Sequence, residues 1–246
     1  MSRVDRLPWS GRVVEPSPSE HTTAGGAGCW DEPGDRPTGH MPKSTHIHAV
    51  LIRSGMSEWD ESGRLVGRAD LPLAPEGLEA VGEASRGLDG VTLSSILHGP
   101  DQCSVATAEA YARVTAGKLR EVADLADVDL GLWEGLLRGE VEEKFQKAYR
   151  RWIEDPGEVV VPEGEPIADA QARIVGGLSR TLEKLRQPDP GVGIVLRPIA
   201  YGLVRCWLLG RPVSELWALT ASPATEWHEV ARSRLKEARV SVGTGH

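Results

Sequence analysis

Two short apolar runs lie far apart in the chain, His46-Ile47-His48-Ala49-Val50-Leu51-Ile52 and Gly193-Ile194-Val195-Leu196, with helix-period segments between them. Near-continuous apolar strands are buried on both faces, and strands that alternate with helices pair in parallel. That pattern predicts an α/β fold: a three-layer α/β/α sandwich around a mostly parallel sheet. Pro75 opens a helix reaching about Leu88, and Leu93 to Leu97 form a short strand closed by Gly99-Pro100. Asp101 caps a helix through Ala106, Ala110 and Val114. Val141, Phe145, Ala148, Tyr149 and Trp152 recur at helical spacing, as do Ile167, Ile174, Leu178, Leu182 and Leu185 behind Pro166. A further helix runs from the second apolar run through Leu203, Trp207 and Leu208 to Gly210. Trp227–Val230 and Leu235–Val240 read as a closing, partly antiparallel strand pair.

Residues 1–44 have no such period. Pro, Gly, Ser and Thr dominate them, and a segment of that composition buries too little apolar surface to offset its ordering entropy. The expected organisation is a disordered leader over 1–44 and one domain over 45–246, with Met41 as a second possible translation start. Trp9 and Trp30 are read as isolated exposed side chains rather than docking contacts.

Of 246 residues, 40% are hydrophobic and 26% charged, enough for one sizeable core. The net charge of −8 argues against general nucleic-acid binding, which needs phosphate neutralisation by Lys and Arg. Cys29, Cys103 and Cys206 are too few and too scattered for a disulfide framework or a zinc site, so a reducing compartment is expected. Without an apolar run of membrane length or a signal core, the expectation is a cytoplasmic protein with no membrane partner.

In open α/β sheets ligands sit beyond the carboxyl ends of the strands. Three such ends carry chemistry: Arg53-Ser54-Gly55, His98-Gly99-Pro100 and Leu196-Arg197-Pro198. Leu51 to Asp60, followed by Gly67-Arg68-Ala69-Asp70-Leu71-Pro72-Leu73-Ala74-Pro75-Glu76-Gly77, resembles the opening of the histidine phosphatase superfamily, the phosphoglycerate-mutase-like proteins. Gly131-Leu132-Trp133-Glu134-Gly135, Gly164-Glu165-Pro166-Ile167-Ala168-Asp169 with Arg173, and Leu208-Leu209-Gly210 follow in that family's order, so the resemblance spans roughly residues 46–240.

The resemblance implies a site of two histidines, two arginines and a carboxylate. Arg53 keeps its chemistry and place, and three of the five positions change to different chemistry. Ser54 falls where the nucleophilic histidine belongs, Arg197 where the second histidine belongs, and Cys103 where the second arginine belongs. Asp127 takes the carboxylate position, and Asp60 stands where asparagine is common. A serine hydroxyl is shorter than an imidazole and needs a nearby base. Phosphohistidine catalysis is therefore not expected, and no position is assigned a confident catalytic role.

The leading reading is a non-catalytic pseudophosphatase that binds a phosphorylated or carboxylated small molecule, or a protein partner, with Arg53, Arg197 and Asp60 as ligand-binding residues. The alternative is a weak or altered phosphomonoesterase with a substitute nucleophile or base. Within these readings, Arg197 either joins Arg53 in holding an anion or pairs with Asp127 and fills the old cavity. His98 is a candidate substitute base, or else faces solvent or caps a helix. Cys103 is a reactive thiol or, more simply, a small core residue. His46 and His48 share a strand face but lack further ligands for a metal, so no metal or cofactor is expected. Trp133, Trp152, Trp207 and Trp217 read as packing residues, and Glu142, Glu143, Lys147, Arg150 and Arg151 as a solvated helix face.

Overall fold

The computed structural model describes residues 45–185, 191–221 and 224–243; the leader assigned above, with Trp9, Trp30 and Met41, lies outside the described residues. Strands β1 (His46–Arg53), β2 (Ser95–His98), β3 (Lys118–Glu121), β4 (Val192–Leu196) and β5 (Thr225–Ala231) form one sheet in the order β3-β2-β4-β1-β5. The β1–β4, β4–β2 and β2–β3 pairs are parallel, and β5 runs antiparallel on β1 from His46↔Ala231 to Ile52↔Thr225.

The alternation of side chains along a strand decides which layer each residue joins. Ile47, Ala49 and Leu51 of β1, with Ile194 and Leu196 of β4, face one core; helices α6 (Ile167–Lys184) and α7 (Pro198–Leu209) cover it. Val50, Ile52 and Val195 face the other, against Val81 of α2 (Pro75–Arg86) and Ala108 and Tyr111 of α3 (Gln102–Thr115). The three-layer α/β architecture follows directly.

Local signals place the helix starts. Pro75 occupies the first turn of α2, and the Asp101 carboxylate accepts the Ser104 amide at 2.9 Å at the head of α3. Gly210 ends α7 in the left-handed conformation, φ 64°. In α2, Gly77 lets the helix pack onto the loop after β1: a Cβ there would come within 2.3 Å of the Met56 carbonyl oxygen.

The structure corrects the reading at three places. Lys118–Glu121 is an unanticipated edge strand; its exposed Lys-Leu-Arg-Glu sequence carries no apolar signal and blunts the edge against further pairing. The periodic run 141–152 is two helices, α4 (Arg138–Lys144) and α5 (Gln146–Glu154), broken where Phe145 leaves helical geometry at φ −124° and ψ 38°. The expected second C-terminal strand is helix α9 (Arg232–Gly243). Leu235 and Ala238 are buried three apart, on a face that packs on α6. Two further short α-helices are α1 (Glu58–Glu61) after β1 and α8 (Leu216–Thr220) after α7. No helix among the described residues is long and apolar enough to cross a membrane.

Candidate functional site

Because β2, β4 and β1 are neighbours, their carboxyl ends bring His98, Arg197 and Arg53-Ser54-Gly55 to one edge of the sheet. The Ser54 amide continues the ladder past β1 by donating to the Leu196 carbonyl at 2.8 Å, which fixes Ser54 beside the turn that carries Arg197. The Gly55 amide then donates to Thr107 Oγ1 of α3 at 3.0 Å. Thr107 went unnoticed in the sequence; its only signal is its place one turn after Cys103, whose carbonyl its hydroxyl also bonds.

Arg197 is the N-cap residue of α7, and its side chain turns into the site, 3% exposed. Its Nη2 meets both Asp60 oxygens, at 2.9 and 3.2 Å, while Nη1 donates to the Gly55 carbonyl at 3.2 Å and to Ser54 Oγ at 3.4 Å. Of the two readings of Arg197, the pairing with Asp127 is thus replaced by one with Asp60. Burial opposes the guanidinium charge, but the Asp60 carboxylate, with Cys103 and Asp127 behind it, outweighs burial and raises the Arg197 pKa above its ordinary value.

Asp60 reaches Arg197 because α1 presents it. Asp60 is the third residue of that helix and forms a reciprocal cap with Ser57: Oδ2 accepts from the Ser57 amide at 2.8 Å and from its hydroxyl at 2.6 Å. The Asp60 side chain remains 16% exposed, at the mouth of the site.

Asp127 is buried and serves α7 instead. Its Oδ1 accepts the Ala200 amide at 2.8 Å and the Val128 amide at 3.0 Å, satisfying an orphan donor of the first turn of α7. Burial pushes its carboxyl up to about 6, against the Arg197 charge and those two amides, which favour ionisation. The loop carrying Asp127 is clamped from behind by Arg173, which donates to the carbonyls of Asp124, Ala126 and Asp127 and pairs with Glu165 at 2.8 Å. Arg68 also donates to the Asp127 carbonyl, at 3.2 Å, and meets Glu165 at 3.0 Å. Burial works against the Glu165 charge, yet the Arg173 bonds and the charges of Arg173 and Arg68 lower its pKa overall.

The other candidates are placed as follows. Arg53 Nη1 donates to the Thr220 carbonyl at 3.0 Å, so that donor serves the end of α8; burial lowers the Arg53 pKa. Cys103 is buried, its thiol set against the Leu71 carbonyl at 3.1 Å, and burial pushes it up to about 11, so it carries no thiolate at neutral pH. His98 is buried at the end of β2, with Nδ1 2.8 Å from the Gly99 carbonyl, rather than solvent-facing. His46 and His48 sit at the opposite, amino end of β1; His48 lies 3.7 Å from Glu229. Among the described residues no cluster of three or more His, Cys, Asp or Glu has the arrangement of a metal site.

A family model of the histidine phosphatase superfamily (branch 1) matches residues 49–240, most of the chain. The chain belongs to that superfamily. Phosphoserine phosphatase 1 of Hydrogenobacter thermophilus is 27% identical over 179 residues, covering 73% of this chain and 84% of that protein. The probable 2-carboxy-D-arabinitol-1-phosphatase of Arabidopsis thaliana is 31% identical over 130 residues, 52% of this chain but only 27% of that longer protein. Among solved structures, mycobacterial glucosyl-3-phosphoglycerate phosphatase with VO3 superposes with a TM-score of 0.66 at 21% identity, over 75% of this chain and 98% of that one. At that identity the superposition establishes the fold. It is the phosphoglycerate-mutase-like architecture inferred from the motifs.

Proposed function

We propose that this superfamily member is a non-catalytic pseudophosphatase whose strand-end site holds a phosphorylated or otherwise anionic ligand without transferring the phosphoryl group. One observation carries this reading: among the described residues, the side chain that hydrogen-bonds Ser54 Oγ is the Arg197 guanidinium, at 3.4 Å. A hydroxyl becomes a nucleophile by passing its proton to a base within hydrogen-bond reach. A guanidinium stays protonated and offers only donors, so it points hydrogen at the lone pair an attack would use. Ser54 and Arg197, which the resemblance places at the two histidine positions, thus meet as acceptor and donor.

The rival reading, an altered phosphomonoesterase, needs a substitute lone pair. Among the described residues none of the candidates hydrogen-bonds Ser54 Oγ: His98 Nδ1 meets the Gly99 carbonyl, the Cys103 thiol the Leu71 carbonyl, and Asp127 Oδ1 the Val128 and Ala200 amides. Ligand binding in place of turnover is supported by the buried cation at Arg197 beside Arg53, since a planar guanidinium suits bidentate oxyanion contact. The three relatives described above are phosphatases by name, which favours the same ligand class.

The test pairs p-nitrophenyl phosphate hydrolysis with phosphate-dependent thermal stabilisation. The unaltered protein should not hydrolyse the ester yet should melt higher in phosphate, and the stabilisation should vanish in Arg197→Met. The Ser54→His, Cys103→Arg, Arg197→His triple variant should gain hydrolysis. Turnover by the unaltered protein that disappears in Ser54→Ala would overturn the proposal.

A further inference from the structure

Resting on the anion-binding reading above, we infer that Asp60 is a built-in counter-ligand: its carboxylate occupies the face of Arg197 that an incoming oxyanion takes, so the site admits a doubly charged phosphate monoester and excludes singly charged carboxylates.

The geometry has three parts. Arg197 is almost wholly buried, and both Asp60 oxygens lie on its Nη2. A buried guanidinium stripped of its counter-charge is strongly unfavourable, so the pair opens only when another anion replaces the carboxylate. Asp60 is the more exposed partner, so an arriving ligand meets it first. Asp60 also has an oxygen to spare: Oδ2 bridges Arg197 Nη2 and the Ser57 amide and hydroxyl, whereas the Oδ1 contact is the longer one to Nη2, at 3.2 Å, so Oδ1 turns toward water while Oδ2 keeps its Ser57 bonds. Displacement therefore exchanges a carboxylate oxygen for a ligand oxygen on a fixed cation and leaves no buried carboxylate unpaired.

Selectivity follows from the tether. Asp60 is delivered by a short helix capped on Ser57, so its effective concentration at Arg197 is in the millimolar range or above. A free monocarboxylate brings the same charge and the same pair of oxygens as Asp60 without that advantage, and loses. A phosphate monoester dianion brings twice the charge and a third equatorial oxygen. The Gly55 carbonyl and Ser54 Oγ keep Nη1 in place during the exchange.

Calorimetric titration with inorganic phosphate and with acetate at pH 7.5 tests this on the unaltered protein, Asp60→Asn and Asp60→Ser. Asparagine keeps acceptors for Ser57, and serine is a short neutral cap; far-ultraviolet circular dichroism checks that both are folded. Removing the competing charge should tighten phosphate binding at least about tenfold in both variants. It should also make acetate binding measurable where the unaltered protein shows none, and adding Arg197→Met should abolish both. If the unaltered protein binds phosphate and neither variant binds it more tightly, the counter-ligand is refuted while the anion site stands. Weaker binding in the variants would make Asp60 a direct ligand contact, which also refutes it. No phosphate binding in any form refutes the site and the counter-ligand together.

Discussion

Asp127 shows how its surroundings set the proton affinity of one buried carboxylate. Its carboxyl is raised to about 6 by burial while two amides and Arg197 favour the charged form. A folded-state pKa above the unfolded value means that the folded state binds the proton more tightly. Its contribution to stability is full at low pH and declines as pH rises from about 4 through 6. Compared with Asp127→Asn, the unaltered protein should lose on the order of 2 kcal/mol of unfolding free energy between pH 4 and pH 7, read from urea titrations at each pH. An opposite slope would mean that the amides, not burial, govern the group. The sequence pointed to Asp127, Arg197, Ser54 and Asp60 because they sit at strand ends or at motif positions. It could not say which carboxylate Arg197 chooses. That choice depends on the angle at which α1 leaves β1, a three-dimensional matter with no period to read.

At the scale of elements, periodicity was a good guide wherever a helix or strand faces the core. The amino ends of α2 and α3 and the carboxyl end of α7 lie where Pro75, Asp101 and Gly210 put them. Periodicity failed where an element is exposed, as in β3, or where a short amphipathic stretch fits either period, as in α9. The docking of α2 yields a paired prediction. Gly77→Ala places a methyl against the Met56 backbone and should cost about 1–3 kcal/mol in chemical denaturation. Gly82→Ala, on the same helix with open space around it, should be neutral or stabilise by about 0.5–1 kcal/mol. Equal effects at both would show that the close approach of α2 to the loop after β1 is not a constraint. On the other layer, Trp133 meets Trp152 edge to face at a centroid distance of 5.8 Å, Trp217 packs tilted on Trp152 at 5.0 Å, and the Trp217 indole donates to the Trp152 carbonyl at 2.7 Å. Their reading as packing residues agrees with this. Trp152→Ala, which opens a cavity between α5 and α8, should cost about 3–5 kcal/mol in the same measurement.

For the whole molecule, the described core starts at Ile47, and the first backbone tie of the sheet's antiparallel margin joins Thr45 to Arg232 at 3.0 Å. Every buried apolar residue named above belongs to residues 47–238. From the Pro-, Gly-, Ser- and Thr-rich composition of residues 1–44, a polypeptide of residues 45–246 should melt cooperatively within about 3 °C of the full chain in a thermal scan, a shift of no more than about 1 kcal/mol for a domain of this size. A larger drop would assign residues 1–44 a share of the fold. The apolar strands and their helices disclosed this architecture in the sequence, because burial on two faces leaves little choice of layers.

The contact between Arg197 Nη1 and Ser54 Oγ also sets the order in which histidines can be introduced at these two positions. An imidazole at position 54 alone would press a bulkier ring against a fixed cation. Changing position 197 first removes that cation, while Asp60 keeps its Ser57 bonds at the exposed mouth. The two positions are therefore coupled, and the effect of either substitution depends on whether the other has been made.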